Sequence, residues 1–150
     1  MPVLKELPRF EGRPADEEVL KRFRERIHRL ETTEAPRFEG EEPLDAIALY
    51  KELLEDYENA YNKYYEKRII LSGLVTKVQD DEFGAPSFQF TDNSGSRCYA
   101  LVVFPDETIY QQVKEGDRAK IIGNVVFIRE PYGLVVKNSR LISTESGKNE

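Results

Sequence analysis

Apolar positions along this chain keep two different beats. Up to about residue 68 they recur every three or four residues, and from Ile69 onward every second residue. The first beat opens with Val19, Phe23, Ile27 and Leu30, one stripe along a helix. Asp16, Glu17 and Glu18 precede the stripe, while Arg24, Arg26 and Arg29 close it, the charge order a helix dipole favours. Thr32-Thr33-Glu34-Ala35-Pro36 ends it. A second, longer helix is expected from near Leu44 to near Lys67. Its seam is Ile47, Tyr50, Leu54, Tyr57, Tyr61 and Tyr64, with Ala46, Leu49, Leu53 and Ala60 as a shoulder. Tyrosines at this spacing read as packing, their rings buried and their hydroxyls reaching polar groups.

The period-two half divides into five strands. Ile69 to Thr76 is the first, with Gly73 marking a bend, and Gln79 to Pro86 holds the turn cluster that follows. Ser87 to Thr91 alternates with Phe88 and Phe90 inward, before the turn Asp92-Asn93-Ser94-Gly95. Arg97 to Phe104 is the third strand, and Pro105-Asp106-Glu107 opens a short helix through Val113. Arg118 to Ile128, interrupted by Gly123, and Leu134 to Ile142 complete the set around the turn Glu130-Pro131-Tyr132-Gly133. The polar tail from Ser143 is expected to fray.

Three strands, a short helix and two further strands is the order of the OB-fold, a five-stranded Greek-key barrel. The reading is therefore an α+β chain: a barrel preceded by a two-helix N-terminal extension. Its units are a strap-helix extension over 1–43, a long helix plus barrel over 44–143, and a flexible tail over 144–150. Lys67-Arg68-Ile69-Ile70-Leu71-Ser72-Gly73-Leu74-Val75, reached from Leu49-Tyr50, resembles the opening of the tRNA_anti-like OB-fold family. Gly116-Asp117-Arg118-Ala119-Lys120-Ile121-Ile122-Gly123 and Leu134-Val135-Val136-Lys137-Asn138-Ser139 resemble its later strands. The resemblance spans roughly residues 44–142 and rests on fold-determining positions, so it implies a fold more than an activity. Many members look secreted or lipid-anchored, and that feature is not carried over. The sequence MPVLKELPRF has no signal-peptide pattern and no run reaches membrane length, so a cytoplasmic setting without a membrane partner is expected.

Composition narrows the chemistry. Cys98 is the only cysteine and His28 the only histidine, which removes disulfide frameworks, Cys- or His-rich metal sites and Ser-His-Asp catalysis. No carboxylate pair, activated nucleophile or phosphate-cradling glycine loop stands out, so a non-enzymatic protein without cofactor is expected. The net charge of −6 opposes a general affinity for polyanions while leaving room for a local basic patch. Asp80-Asp81-Glu82 reads as a solvated turn rather than a metal site.

Two binding readings follow. An OB-fold binds ligands on the face of its second and third strands, between the loops joining strands one to two and four to five. That face would offer Phe83, Arg97, Tyr99, Arg129 and Tyr132 to single-stranded RNA or DNA, with Lys77 and Lys137 on the backbone. The three carboxylates of the first loop oppose this by repelling phosphate. The basic run Lys21 to Arg29 is assigned instead to the acidic second helix (Glu52, Glu55, Asp56, Glu58).

The alternative is a protein-interaction or self-assembly module. Strand alternation turns Ile70, Leu74, Leu101 and Val103 outward, with Tyr99, Ile122 and Val126, and a patch of that size marks a contact surface. The pentapeptide Pro-Arg-Phe-Glu-Gly occurs at both 8–12 and 36–40. Phe10 and Phe38 are read as anchors in two straps that cover the barrel or a second copy of it, each glycine turning the chain toward its helix.

Overall fold

The computed structural model of the protein describes residues 17–92, 97–129 and 133–146. The first PRFEG copy with Phe10, the turn at 93–96 between the second and third strands, Tyr132 and the last four residues lie outside them. Helix α1 (Glu17–Thr32) leads to a two-residue strand β1 (Leu44–Asp45), then α2 (Ala46–Glu55) and α3 (Tyr57–Tyr64). The barrel strands are β2 (Arg68–Thr76), β3 (Ser87–Thr91), β4 (Cys98–Val103), β5 (Arg118–Arg129) and β6 (Gly133–Glu145). A 3-10 helix, Glu107–Gln111, joins β4 to β5. β6 therefore outlasts the expected fraying point, pairing Glu145 with Arg118.

Neighbouring strands run β2-β3-β4-β6-β5, and β5 returns to β2 to close the barrel. Only the β4–β6 contact is parallel among these pairs. This is the OB-fold order, so the α+β five-stranded barrel is the architecture. Its interior is filled by alternate residues, Ile69, Leu71 and Val75 on β2 facing Phe88, Phe90, Ala100, Val102, Ile121 and Val136. The rings of Phe88 and Phe90 lie 5.3 Å apart, those of Phe88 and Phe104 5.2 Å apart. Gly73 and Gly123 are required by close approach. A Cβ at Gly73 would sit 2.7 Å from the Phe90 ring, and one at Gly123 2.5 Å from both Ser139 Oγ and Val136 Cγ1. The strand bend is thus a consequence of neighbours that press onto the bare backbone.

Extra layers complete the core. Ile109 and Val113 join it from the 3-10 helix and its end, as do Ala46, Leu49 and Leu53 from α2 and Ala60 and Tyr64 from α3. The expected single long helix is broken at Asp56, whose φ of −151° and ψ of 84° lie outside the helical region. Its carboxylate accepts from Asn59 N at 3.2 Å, so Asp56 caps a new helix in place of continuing the old one. The break resets the helical phase. The buried face is the former shoulder plus Tyr50 and Tyr64, while Leu54 of the expected seam is exposed. Glu52 bridges the two helices, accepting from Tyr64 OH at 2.7 Å and Lys63 Nζ at 3.0 Å.

The second PRFEG copy behaves as an edge strand. β2 pairs with β3 only from Leu74 to Thr76, which leaves the edge of its first half without a partner strand. Arg68 N donates to Pro36 O at 2.8 Å, and Phe38 N donates to Arg68 O at 3.0 Å. Ile70 N then donates to Glu42 Oε2 at 2.7 Å, and β1 takes over at Leu71 and Ser72. Arg37 holds the other oxygen of Glu42. The ring of Phe38 lies 5.1 Å from that of Tyr64 and folds over Gly40, whose missing Cβ would fall 2.4 Å from it. Gly40 serves that packing, and the turn toward a helix expected of it is not its role. The strap covers its own barrel.

Asn124 fastens the segment before the strap. It is fully buried, and its amide makes four hydrogen bonds. Oδ1 accepts from Ala35 N and Arg68 Nη1, each at 3.0 Å. Nδ2 donates to Leu30 O at 2.7 Å and Thr33 O at 2.6 Å. Asn138 Nδ2 adds a bond to Thr33 O at 2.8 Å. These contacts hold α1 against β5 and β6.

Candidate functional site

The outer face of β3 and β4 has two ends. Ser87 pairs with Val103 at one end and Thr91 with Cys98 at the other, roughly 13 Å away at the usual rise per strand residue. The β2–β3 loop borders the first end and the start of β6 the second.

At the first end, Lys77 is exposed with a φ of 50°, and Phe83 is 76 % exposed at the loop tip. Asp81 builds that tip: its Oδ1 accepts from Phe83 N at 2.8 Å and Ala85 N at 2.9 Å. Asp80 Oδ1 accepts from Tyr110 OH at 2.6 Å. Burial and this bond push the Tyr110 hydroxyl up to about 12, so the tyrosine stays a donor through the physiological range. The acidic run therefore has structural work, because two of its carboxylates fold the loop that displays Phe83. A cleft of about 220 Å³ separates the loop from the strands, lined by Lys77, Gln79, Asp80, Asp81, Glu82, Gln89 and Leu101 among others.

At the second end, Arg97 is exposed and its guanidinium carbon lies 5.4 Å from the Tyr50 ring centre. The half-buried Tyr99 meets the same ring edge-on at 5.4 Å. Tyr50 thus stands between two candidate residues. Its spacing in the sequence implies helix packing alone, and no local signal marks it otherwise. Arg129 ends β5, paired with Gly133, and Tyr132 lies outside the described residues.

Lys137 falls elsewhere. It projects from β6 toward α1, with Nζ 2.6 Å from Glu31 Oε2, and this ion pair takes it away from the β3–β4 face. The basic run of α1 is likewise not set against the acidic second helix. Arg26 and Arg29 approach Glu66 at 3.9 and 3.6 Å because α1 lies on β5 and β6. Arg26 also stacks over Phe23 and Tyr65 at 5.1 and 5.2 Å. His28 is exposed.

The outward apolar patch is smaller than alternation suggests. Leu101 and Val103 are only 7 % and 6 % exposed, and Leu101 shares a cleft with the β2–β3 loop. Ile70 and Leu74 are half-buried, and Ile122 and Val126 are buried. Phe38 is taken up within its own chain by Tyr64 and Gly40. No broad apolar surface of these residues remains open. Among the described residues, no helix is long and apolar enough to cross a membrane.

No family model matches the chain, and no curated protein does. Among solved structures it is similar to a lipoprotein from Klebsiella pneumoniae subsp. pneumoniae MGH 78578 that has been suggested to bind nucleic acid. The two share 13 % identity and superpose with a TM-score of 0.50 over 87 % of this chain and all of that one. At that identity the likeness is one of fold.

Proposed function

We propose that this protein is a non-catalytic OB-fold module that binds single-stranded nucleic acid across β3 and β4. The observation that carries the reading is Phe83, a large ring exposed on a loop whose shape is fixed by Asp81. An aromatic held open to solvent offers a face on which a base can stack, whatever its identity. Arg97 and Tyr99 supply a cation and a second ring at the far end, and Lys77 a cation at the near end. The resemblance to tRNA_anti-like barrels and the suggested activity of the Klebsiella lipoprotein support the same direction. A cytoplasmic setting is part of this proposal.

The charge pattern makes the reading specific. Two cations, Lys77 and Arg97, stand on this side of the barrel against three carboxylates, Asp80, Asp81 and Glu82, so stacking contributes more than phosphate neutralisation. Two phosphate contacts give a log–log salt slope of about −1.4 on a single strand, far shallower than a basic groove would show. Fluorescence anisotropy of labelled single-stranded RNA and DNA, at low and moderate salt, tests this. Saturable binding with a shallow slope, weakened by Phe83→Ala and Tyr99→Ala, is the expected result. A flat titration at low salt would remove the nucleic-acid reading.

A further inference from the structure

Arg68 is 3 % exposed, yet among the described residues no carboxylate comes within ion-pair distance of it. Both its side-chain hydrogen bonds leave from Nη1, to Asn124 Oδ1 and Asn138 O at 3.0 Å each, and both acceptors are neutral. Nε and Nη2 make no hydrogen bond among the described residues and are not sealed from solvent, so that side of the guanidinium is open to an incoming acceptor. Burial holds its pKa below the ordinary arginine value, and Arg140 and Arg37 push the same way against the pull of Glu34.

The second observation comes from the opposite strand. Ser139 is 2 % exposed, and its Oγ has no hydrogen-bond partner. A buried hydroxyl is ordinarily paired. Both side chains border one cavity of about 370 Å³ between the end of β4, the 3-10 helix and β6. Arg140 and Gln112 line it as well, with Glu34 and Asp106 as its acids. Asp106 is committed to the 3-10 helix, where its Oδ1 accepts from Thr108 N at 2.9 Å and from the Thr108 hydroxyl.

We propose that this cavity is an oxyanion site, in which the phosphate or carboxylate group of a small organic molecule meets Arg68 from within and Arg140 at the wall. A guanidinium fork matches either oxyanion. Arg140 and Gln112 add donors at the wall, while Glu34 accepts from a hydroxyl or amine on the body of the ligand. The volume lies at the small end of organic-ligand pockets, more than a bare ion needs. Two acids in the lining disfavour a polyanion and suit a molecule with one anionic head. The site shares no residue with the β3–β4 face, so it stands or falls independently of nucleic-acid binding.

The test titrates the full-length ¹⁵N-labelled chain with inorganic phosphate and, separately, with acetate, at ionic strength held constant with chloride. The Arg68 Nε–Hε signal and the amides of Thr108 and Ser139 are followed. A saturable shift confined to these signals is expected from at least one probe, and the probe that saturates identifies the head group. Arg140→Ala, checked for an intact amide spectrum, should weaken that binding about five- to tenfold, as loss of one charge-assisted contact would. Arg97→Ala should leave it unchanged. Shifts that stay linear throughout, or that ignore Arg140→Ala, would overturn the proposal.

Discussion

The β5–β6 side and the β3–β4 side of this barrel begin from similar strands and end in opposite conditions. Over β5 and β6 lies α1, fastened where Asn124 satisfies all four of its amide positions and Lys137 meets Glu31. Over β3 and β4 lies the β2–β3 loop, which shares a cleft with Leu101 and leaves Phe83 in water. Strand alternation names the residues that leave the core on both sides. What happens to them afterwards depends on segments far away in sequence, so an outward apolar residue is not yet a surface residue.

The largest test of that contrast is Asn124→Ala. It strands the Leu30 carbonyl, the Ala35 amide and part of the buried Arg68 fork, and leaves Thr33 O to Asn138 alone, which should cost about 3 to 5 kcal/mol in urea unfolding. A loss below about 1 kcal/mol would mean that water replaces the clamp and that the two sides are held alike. Phe38→Ala comes next. The half-buried ring closes the strap over β2, and its removal should lower stability by about 2 kcal/mol. An unchanged unfolding midpoint with a changed molecular mass would instead return the strap to a role between chains.

A smaller effect belongs to Glu52. Burial alone would raise its carboxyl, but the hydrogen bonds from Tyr64 and Lys63 outweigh it and hold the pKa below its ordinary 4.5. A lowered carboxylate stabilises the fold above its ordinary pKa, and that contribution fades as pH falls through the folded value. Glu52→Gln should therefore flatten the acid side of the stability–pH curve below about pH 4.5, by no more than about 1 kcal/mol for so exposed a pair. The least change in stability is expected for Phe83→Ala, within about 0.5 kcal/mol, because its ring packs on little. Stability retained while strand affinity falls would separate the open face from the sealed one.

Much of the barrel was legible because its signals are local. Turn residues bracket β2 to β6, alternation fills the interior, and Gly73 and Gly123 fall where neighbours press closest. The helix before the barrel was read less well. The three-and-four spacing from Ile47 to Tyr64 runs through Asp56 without a gap, and only the capping carboxylate betrays the reset. The strap left a single trace, its repetition, since a backbone bridge to Arg68 demands no particular side chain at Arg37. For the candidate site, Phe83, Arg97 and Tyr99 could be named from loop and strand positions. Lys137 could not be kept from it, because Glu31 stands 106 residues away in sequence. Nor could the cavity beside Arg68 be foreseen, as it joins residues from β2, β6 and the 3-10 helix.

Asn124 also orders events during synthesis. The carbonyls of Leu30 and Thr33 leave the ribosome early, but the amide that receives them lies 94 and 91 positions later, and Asn138 later still. Chains emerge from their N-terminus, so α1 has no seat until nearly the whole barrel has been made. A helix translated early is then among the last elements to find its seat.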